Sequence, residues 1–448
     1  MNSSRIIDLA LSAAGGDEAD VVYTTTDRNV SRFANSNLHQ NMSEASSDLV
    51  VRVISEGRMG VAATTLLQAD EIRKVAALAR EIARRSDPLP GFQGLYRSAE
   101  AAPRCESFDG PTASLKPAEK ARALRDVFDR GRGRGVLFAG VYTTTSGSIA
   151  VGNSHGVRRE APFTGADALL IALDGARSGF ATQIDRRASR VDLMALADDA
   201  TTRATLLRDS DLAELEPGEY DVILEPAALA EIFEWMNMIT FSGRAYEDGS
   251  SFFVDQLGKR VVGENLTLAD DPIDPDFLPF PFDMEGMPHR RVDLIDRGVA
   301  RTPVLDKILS DRLGIPPTGN AAGLGSEDHG IALHLSMQAG TSTRDELIAS
   351  TERGVWITRF HYLNGLLEPK TALMTGMTRD GTFLIEKGRV TRRLANLRWT
   401  QSMVDAFSNL DGVTRERRAV GTWWNLVGGT IAPTVKIRKW KVTGVQKW

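Results

Sequence analysis

The sequence contains few residues that bind transition metals. Among its 448 residues are six histidines and one cysteine, Cys105. A single cysteine cannot form an intramolecular disulfide, and it leaves almost no basis for a metal site ligated by thiolates. We therefore expect a protein of the reducing cytoplasm.

The sequence also lacks long apolar runs and an excess of positive charge. No stretch approaches the roughly 18 apolar residues that a membrane-spanning helix needs, and the first residues do not form an apolar leader. The formal net charge is -5 and the pI is about 5.8. Because no positive field is available to hold phosphate groups, we expect neither a nucleic-acid partner nor a membrane partner.

The chain does have the composition of a globular protein, with 42% hydrophobic residues, so it can bury the cores of two or three domains. The pattern predicts an N-terminal α/β domain at 1–88, a connector at 89–116, a central α/β region at 117–215 and a β-rich C-terminal domain at 216–448. The predicted fold class is α+β, with a smaller α/β N-terminal half and a large, mainly antiparallel C-terminal half.

The first domain shows both helical and strand periodicity. We expect a helix at 5–14 that ends at the glycine pair 15–16, a strand at 21–26, and a hairpin joining 49–54 to 60–64. Apolar residues then recur every 3.6 positions behind Asp70, a candidate N-cap.

The central region predicts a helix at 117–128 that the glycine- and arginine-rich run 131–135 ends, followed by strands at 136–143 and 148–152. This run is too short for a low-complexity RNA-binding tract, so we interpret it as a loop. Further on, the pattern predicts a strand at 220–224 and a helix that opens at Pro226.

Several short strings, in order along the chain, resemble the TldD/PmbA family. The N-terminal string is Ile54-x-x-Gly57-Arg58-Met59-Gly60-Val61-Ala62, and the middle string is Asn153-Ser154-His155-Gly156-Val157. The C-terminal strings are the most specific, and they comprise Ser251-x-Phe253-x-x-x-Leu257-Gly258, Leu266-Thr267-Leu268-x-Asp270-Asp271-Pro272, Phe282-Asp283-x-Glu285-Gly286 and Thr318-Gly319-Asn320.

This resemblance implies a pair of related subunits around an inner chamber. One type, TldD, carries zinc, and the other, PmbA or TldE, does not. Together they are described as a peptidase for small or unfolded peptides.

The resemblance also indicates which type this chain is. Zinc-bearing members place His-Glu-x-x-x-His on the helix after the strand at 220–224, where imidazoles bind the metal and the carboxylate activates its water. The corresponding positions here are Glu234, Trp235 and Ile239, and no histidine lies between His155 and His289. The family's C-terminal cysteine is also missing from the matching stretch at 421–424.

The same helix instead has apolar residues at helical spacing, which predicts core packing. These are Leu229, Ile232, Phe233 and Met236. We expect Glu231 and Glu234 to form its solvated face.

Two other groups of residues are candidates for chemistry. Glu327, His329 and His334 form the one acid/histidine cluster of the sequence, but separations of two and five residues suit neither one helix face nor one strand face. The family-pattern residues are interpreted as structural, with their carboxylates shaping turns, and they are Asp270, Asp271, Pro272, Asp283, Glu285, Gly286, Gly319 and Asn320.

The leading hypothesis is therefore a subunit without catalytic residues, inactive alone, that joins a zinc-bearing TldD-like paralogue to act on peptides. We expect no cofactor in this chain and zinc in the partner. One alternative is a homodimeric peptide-binding or carrier protein without a peptidase role. Another is a cryptic metallohydrolase that uses Glu327, His329 and His334.

Overall fold

The computed structural model describes residues 1–15, 18–98, 100–327, 329–421 and 427–445. Each half of the chain builds one sheet, with six strands in the N-terminal half and eleven in the C-terminal half. The predicted α+β class is confirmed, because helices pack on sheets whose strands are mostly antiparallel.

The N-terminal sheet is entirely antiparallel and has the order β3-β2-β1-β4-β5-β6. The elements of this half are α1 (Ser3–Ala14), β1 (Glu18–Ala34), β2 (Asn37–Ser55), β3 (Arg58–Thr64), α2 (Ala69–Arg85), α3 (Gly110–Ala113), α4 (Pro117–Gly133), β4 (Leu137–Asn153), β5 (Arg158–Asp174), β6 (Arg177–Asp185) and α5 (Leu193–Thr205).

This half repeats one arrangement, a helix, three strands and a helix, first from α1 to α2 and then from α4 to α5. The two repeats join where β1 pairs with β4. In both, the third strand has a glycine beneath the following helix. A Cβ on Gly60 would lie 2.0 Å from the carbonyl oxygen of Ala79, and one on Gly179 would lie 2.1 Å from that of Ala200. Each helix therefore approaches its strand at a distance that only glycine permits.

The C-terminal half contains many short elements. They are β7 (Gly218–Leu224), α6 (Pro226–Met236), a π-helical turn (Asn237–Phe241), α7 (Gly243–Glu247), β8 (Leu268–Asp270), β9 (Val292–Asp296), β10 (Val299–Ala300), α8 (Lys307–Leu313), β11 (His334–Met337), α9 (Arg344–Ala349), β12 (Arg353–Glu368), β13 (Leu373–Glu386), β14 (Arg389–Arg393), β15 (Leu397–Ser402), α10 (Met403–Ser408), β16 (Leu410–Val420) and β17 (Gly429–Val445).

Five strands of this sheet close on themselves. The order runs β17-β15-β13-β12-β7, and β7 also pairs with β17. Helix α6 packs against β12 and β17. Its core cluster includes the buried rings of Phe233, Trp399 and Trp440. The ring of strands therefore holds α6 in a fixed place.

Three local predictions differ from the structure. The N-cap of α2 is Gln68, so Asp70 lies in the first turn. Helix α4 continues to Gly133, because Gly131 packs against Phe138, whose ring would lie 2.6 Å from an added Cβ. Strand β4 is continuous, since its polar middle pairs with β1 and β5.

Two expectations concern segments with little regular structure. Within 89–116 the described residues form one short helix, α3. Gly16, the second glycine of the predicted helix end, and residues 422–424, in the stretch that lacks the family's cysteine, lie outside the described residues.

None of the described helices is both long enough and apolar enough to span a bilayer.

Candidate functional site

Helix α6 occupies the place where the resemblance expects a zinc motif. One face is buried in the core, where Leu229, Ile232, Phe233 and Met236 are all inaccessible to solvent. The ring of Phe233 stacks on that of Phe407 at a centroid distance of 5.6 Å. This face is therefore committed to packing.

The opposite face of α6 is covered by the C-terminal end of β12, which we call its outer end (residues 361–368). Glu231, Glu234 and Trp235 are half-buried, so Glu231 and Glu234 do not form the solvated face that the sequence predicted. A Cβ on Gly365 would lie 2.9 Å from the ring of Trp235, which shows how closely β12 approaches. Burial raises the pKa of Glu231, although Leu363 and Arg359 lower it.

The three positions that correspond to the zinc motif do not make a zinc site. Glu234 offers one carboxylate, Trp235 has no lone pair for a metal, and Ile239 is buried in the core. Within the described ranges, no three residues among the histidines, cysteines, aspartates and glutamates gather as metal ligands would. The side chains present here do not fit the zinc centre of the catalytic type.

The structure also separates the acid/histidine cluster of the sequence. His329 Nδ1 lies 2.9 Å from Asp306 Oδ2, and Glu327 is exposed. His334 is buried on β11, with its ring edge-on to that of His289 at a centroid distance of 5.9 Å. Glu327, His329 and His334 therefore have different surroundings.

A buried polar cluster surrounds His334. Asp270 accepts hydrogen bonds from the His334 backbone N–H at 2.7 Å and from Asn320 Nδ2 at 2.6 Å. Burial raises the pKa of Asp270 to about 7 and lowers the pKa of His289 to about 4. Burial, together with the nearby His289, lowers the pKa of His334 to about 3. Both imidazoles are therefore neutral at neutral pH.

A second buried cluster joins the two halves of the chain. Arg52 on β2 donates from Nε to Asp20 Oδ1 at 2.9 Å and from Nη2 to Glu285 Oε1 at 2.8 Å. The other oxygen of Glu285 accepts from the Lys307 backbone N–H at 2.9 Å. Arg52, Asp20 and Glu285 are each at most 4% exposed. The carboxylate of Glu285 is therefore fully engaged in structure.

The remaining family-pattern residues shape the same region. Asp283 accepts hydrogen bonds from the backbone N–H groups of Glu285, Met287 and Ala321, and burial, with the charge of Glu285, raises its pKa to about 8. Other members of the set include an ion pair of Asp271 with Arg291 at 2.9 Å, a hydrogen bond from Phe280 N to Pro272 O at 2.8 Å, and positive φ angles at Gly286 and Gly319.

A polar cleft of about 640 Å³ opens at the first turn of α6. Glu225, just before the helix, is contacted by Arg203, by Arg344 at 3.4 Å and by Trp356 Nε1 at 3.0 Å. Eight charged side chains line the cleft, four of each sign, and they are Asp199, Arg203, Glu225, Arg344, Asp345, Glu416, Arg417 and Arg418.

Sequence reasoning missed these interactions between the halves. Arg52 and Glu285 lie 233 residues apart, and Arg203 and Glu225 are contributed by different halves. Neither pair has a local spacing that could reveal it. Their one sequence signal is a charged residue in an otherwise apolar run, such as Arg52 within Leu49–Ile54.

Comparison with known families decides the relationship. The PmbA/TldA metallopeptidase C-terminal domain matches residues 217–444, which is more than half of the chain, and domain 1 of the same family matches residues 19–83. The chain belongs to the TldD/PmbA family. The TldD/PmbA resemblance read from short strings is thereby confirmed.

Individual TldD/PmbA relatives are distant in sequence. A metalloprotease of Methanothermobacter thermautotrophicus is 23% identical over 429 residues, which cover 91% of each chain. Metalloprotease PmbA of Escherichia coli O157:H7 is 26% identical over 333 residues, 72% of each chain. TldE from Thermococcus kodakarensis has a similar fold, with a TM-score of 0.87 at 18% identity, over 98% of this chain and 99% of that one.

Proposed function

We propose that this chain is the zinc-free subunit of a TldD/PmbA-type metallopeptidase and acts on small or unfolded peptides only together with a zinc-bearing paralogue. The observation that carries the proposal is that α6 is packed on both faces and has no zinc-binding set of side chains. One face of the helix is core, and Trp235 on the other face packs against β12. A residue set of Glu234, Trp235 and Ile239 offers zinc a single ligand.

The outer end of β12 supports a role in pairing. Four large apolar side chains are exposed there and in the π-helical turn after α6, and we call them the β12 arm: Met238 (42%), Tyr362 (79%), Leu366 (62%) and Leu367 (49%). Exposed large apolar and aromatic groups are typical of protein interfaces, and three of these four lie within six residues of one strand. We place the zinc-bearing paralogue on this arm, because it adjoins the helix that corresponds to the family's zinc motif.

The peptide is expected to bind by its backbone. A subunit that offers strand edges can hold an extended chain of any sequence through main-chain hydrogen bonds. That mode suits a peptidase for unfolded peptides, because it needs no side-chain pocket in the helper subunit.

The first experiment measures bound zinc and cleavage of an unstructured peptide for the purified chain, for the paralogue, and for both after co-expression. We expect no stoichiometric zinc and no cleavage from this chain alone, and cleavage from the pair. Stoichiometric zinc in the chain alone, with cleavage that a chelator abolishes, would overturn the proposal.

The second experiment tests the β12 arm by co-purification with the tagged paralogue. Leu366→Glu places a charge at the proposed interface and should reduce capture at least tenfold. Leu78→Glu is the matched control, because Leu78 is 53% exposed on α2, in the other half of the chain. Equal capture of both variants would refute the arm as the contact, and self-association without any paralogue would favour the homodimeric carrier instead.

A further inference from the structure

Lys120 is a buried lysine in the N-terminal half. It lies in the first turn of α4 and is 1% exposed. Its Nζ donates to the carbonyl oxygens of Asn29 at 2.7 Å and of Tyr142 at 3.3 Å, and it lies 5.4 Å from the centre of the Tyr142 ring. Across the described ranges no carboxylate lies within ion-pair distance of this ammonium group.

A buried lysine without a carboxylate is uncommon, because buried charges are normally paired. Desolvation by burial lowers the pKa of Lys120 to about 8, so the ammonium form still dominates at neutral pH. An ammonium group carries three hydrogens, and two of them point to backbone carbonyls. The third remains for another acceptor.

A cavity of about 490 Å³ adjoins this lysine. It lies between α4, the start of α5 and strand β4, with Lys120 and Tyr142 in its wall. No described residue forms a hydrogen bond with the Tyr142 hydroxyl. The rest of the wall combines four acidic residues with the apolar side chains of Pro111, Leu115, Ala123, Val191, Leu193 and Met194. Apolar walls with a few convergent polar groups are typical of small-molecule sites, and the volume is in their usual range.

We propose that this cavity binds a small molecule with an apolar body and a single carboxylate, which pairs with Lys120. The apolar body of the ligand occupies the cavity between α4 and α5, and its carboxylate also accepts a hydrogen bond from the Tyr142 hydroxyl. This site lies in the other half of the chain from α6, so the inference does not depend on the proposed peptidase role.

The acidic residues around the cavity limit the ligand to one negative charge. Three of them already accept backbone N–H groups, namely Asp109 from Thr112, Glu119 from Lys116, and Asp192 from Ala195, each at 2.9 Å. The fourth, Asp126, is exposed. Their charges repel a phosphate or another polyanion more strongly than a monocarboxylate, whose single charge is offset by Lys120.

Octanoate and octan-1-ol are suitable probes, because they share an apolar chain and differ in the charge of the head group. Titration calorimetry at pH 7 on the full chain should give octanoate a dissociation constant at least about tenfold below that of octanol, since a charge-assisted hydrogen bond replaces a neutral one. Lys120→Met keeps the length of the side chain without the charge. It should abolish the preference and leave octanol binding within about twofold.

A second variant tests the location of the site. Ala123→Phe would fill the cavity while leaving Lys120 in place, so both probes should lose at least tenfold in affinity. This variant, together with the comparison of probes on the unchanged protein, also decides the matter if Lys120→Met does not fold. Octanoate affinity should also fall as the pH rises through 8, because Lys120 loses its proton.

Three outcomes would overturn the proposal. One is that neither probe binds, and another is that the two probes bind with equal affinity to the unchanged protein. The third is that Lys120→Met retains the preference for octanoate. Thermal unfolding of the ligand-free Lys120→Met variant provides a further check. We expect its midpoint to be at or above that of the unchanged protein, because a buried unpaired charge is removed.

Discussion

Replacing Arg52 with methionine should destabilise the protein far more than removing any exposed arginine. Arg52 is buried between Asp20 of its own sheet and Glu285 of the other half. Methionine has a similar length and fills the same space, so cavity formation contributes little. What remains is two carboxylates buried without their cation.

The magnitude follows from the cost of an uncompensated buried charge. Removing one partner of a buried ion pair typically costs about 3–5 kcal/mol, because the other charge remains desolvated. The two carboxylates could also take up protons, and burial already raises the pKa of Glu285 despite Arg52. Protonation would limit the loss, so the cost of Arg52→Met should shrink as the pH falls towards 5.

Urea unfolding followed by circular dichroism would measure the change. The matched control is Arg73→Met, which removes an exposed arginine paired with Asp70 and should cost about 0.5 kcal/mol or less. A double-mutant cycle with Glu285→Gln then isolates the contact between the halves, with an expected coupling of about 1–3 kcal/mol. A loss below about 1 kcal/mol for Arg52→Met would refute the reasoning.

Three further changes have defined outcomes. Gly60→Ala should lower the free energy of unfolding by about 3 kcal/mol or more in urea, because its Cβ would meet the backbone of Ala79. The control Gly133→Ala, at a helical position with open space around it, should be neutral or stabilising by about 0.5 kcal/mol. Equal effects of the two substitutions would contradict the packing argument. The free energy of unfolding of His334→Phe should rise by about 3 kcal/mol relative to that of the unchanged protein as the pH falls from 7 to 4. The reason is that the folded pKa of His334 is about 3, so its contribution is present above about 6.5 and is lost as the pH falls; parallel stability curves would disprove this. Asp270→Asn should behave in the opposite way: its free energy of unfolding should rise relative to that of the unchanged protein as the pH rises from 4 to 7, because burial raises the folded pKa of Asp270 to about 7. A relative gain in stability at low pH would contradict that sign.

The elements that sequence patterns could predict are those with one buried face. Helix α2 has a regular apolar period, whereas the hairpin of β2 and β3 is indicated by a short apolar run and a glycine turn. Both form close to the predicted positions. The strand predicted at 21–26 extends to Ala34, and its partner β2 begins at Asn37. The sequence did not predict these extensions, because residues 37–47 are mostly polar and exposed. Their pairing depends on the tight turn at Asn35 and Ser36, both with positive φ. No apolar alternation marks such a segment.

The candidate site was harder to predict than the fold. Missing histidines can be counted in a sequence, so the departure of α6 from the zinc motif needed no structure. The burial of Glu231 and Glu234 depends on the outer end of β12, which follows more than 120 residues later. Contacts of this kind are set by tertiary packing, and local periodicity therefore predicted a solvated face where the two glutamates are half-buried.

Buried arginines hold the two halves together and set the orientation of α6 within the chain. Arg52 reaches Glu285, Arg203 reaches Glu225, and Arg393 donates to the carbonyl oxygen of Arg203 at 2.7 Å. Such contacts add little net stability over an apolar interface, but a planar guanidinium bonds only at a set position and angle. An apolar interface would tolerate sliding, whereas this one fixes α6 relative to the N-terminal sheet. A partner that binds the β12 arm would therefore meet a surface whose orientation is already set.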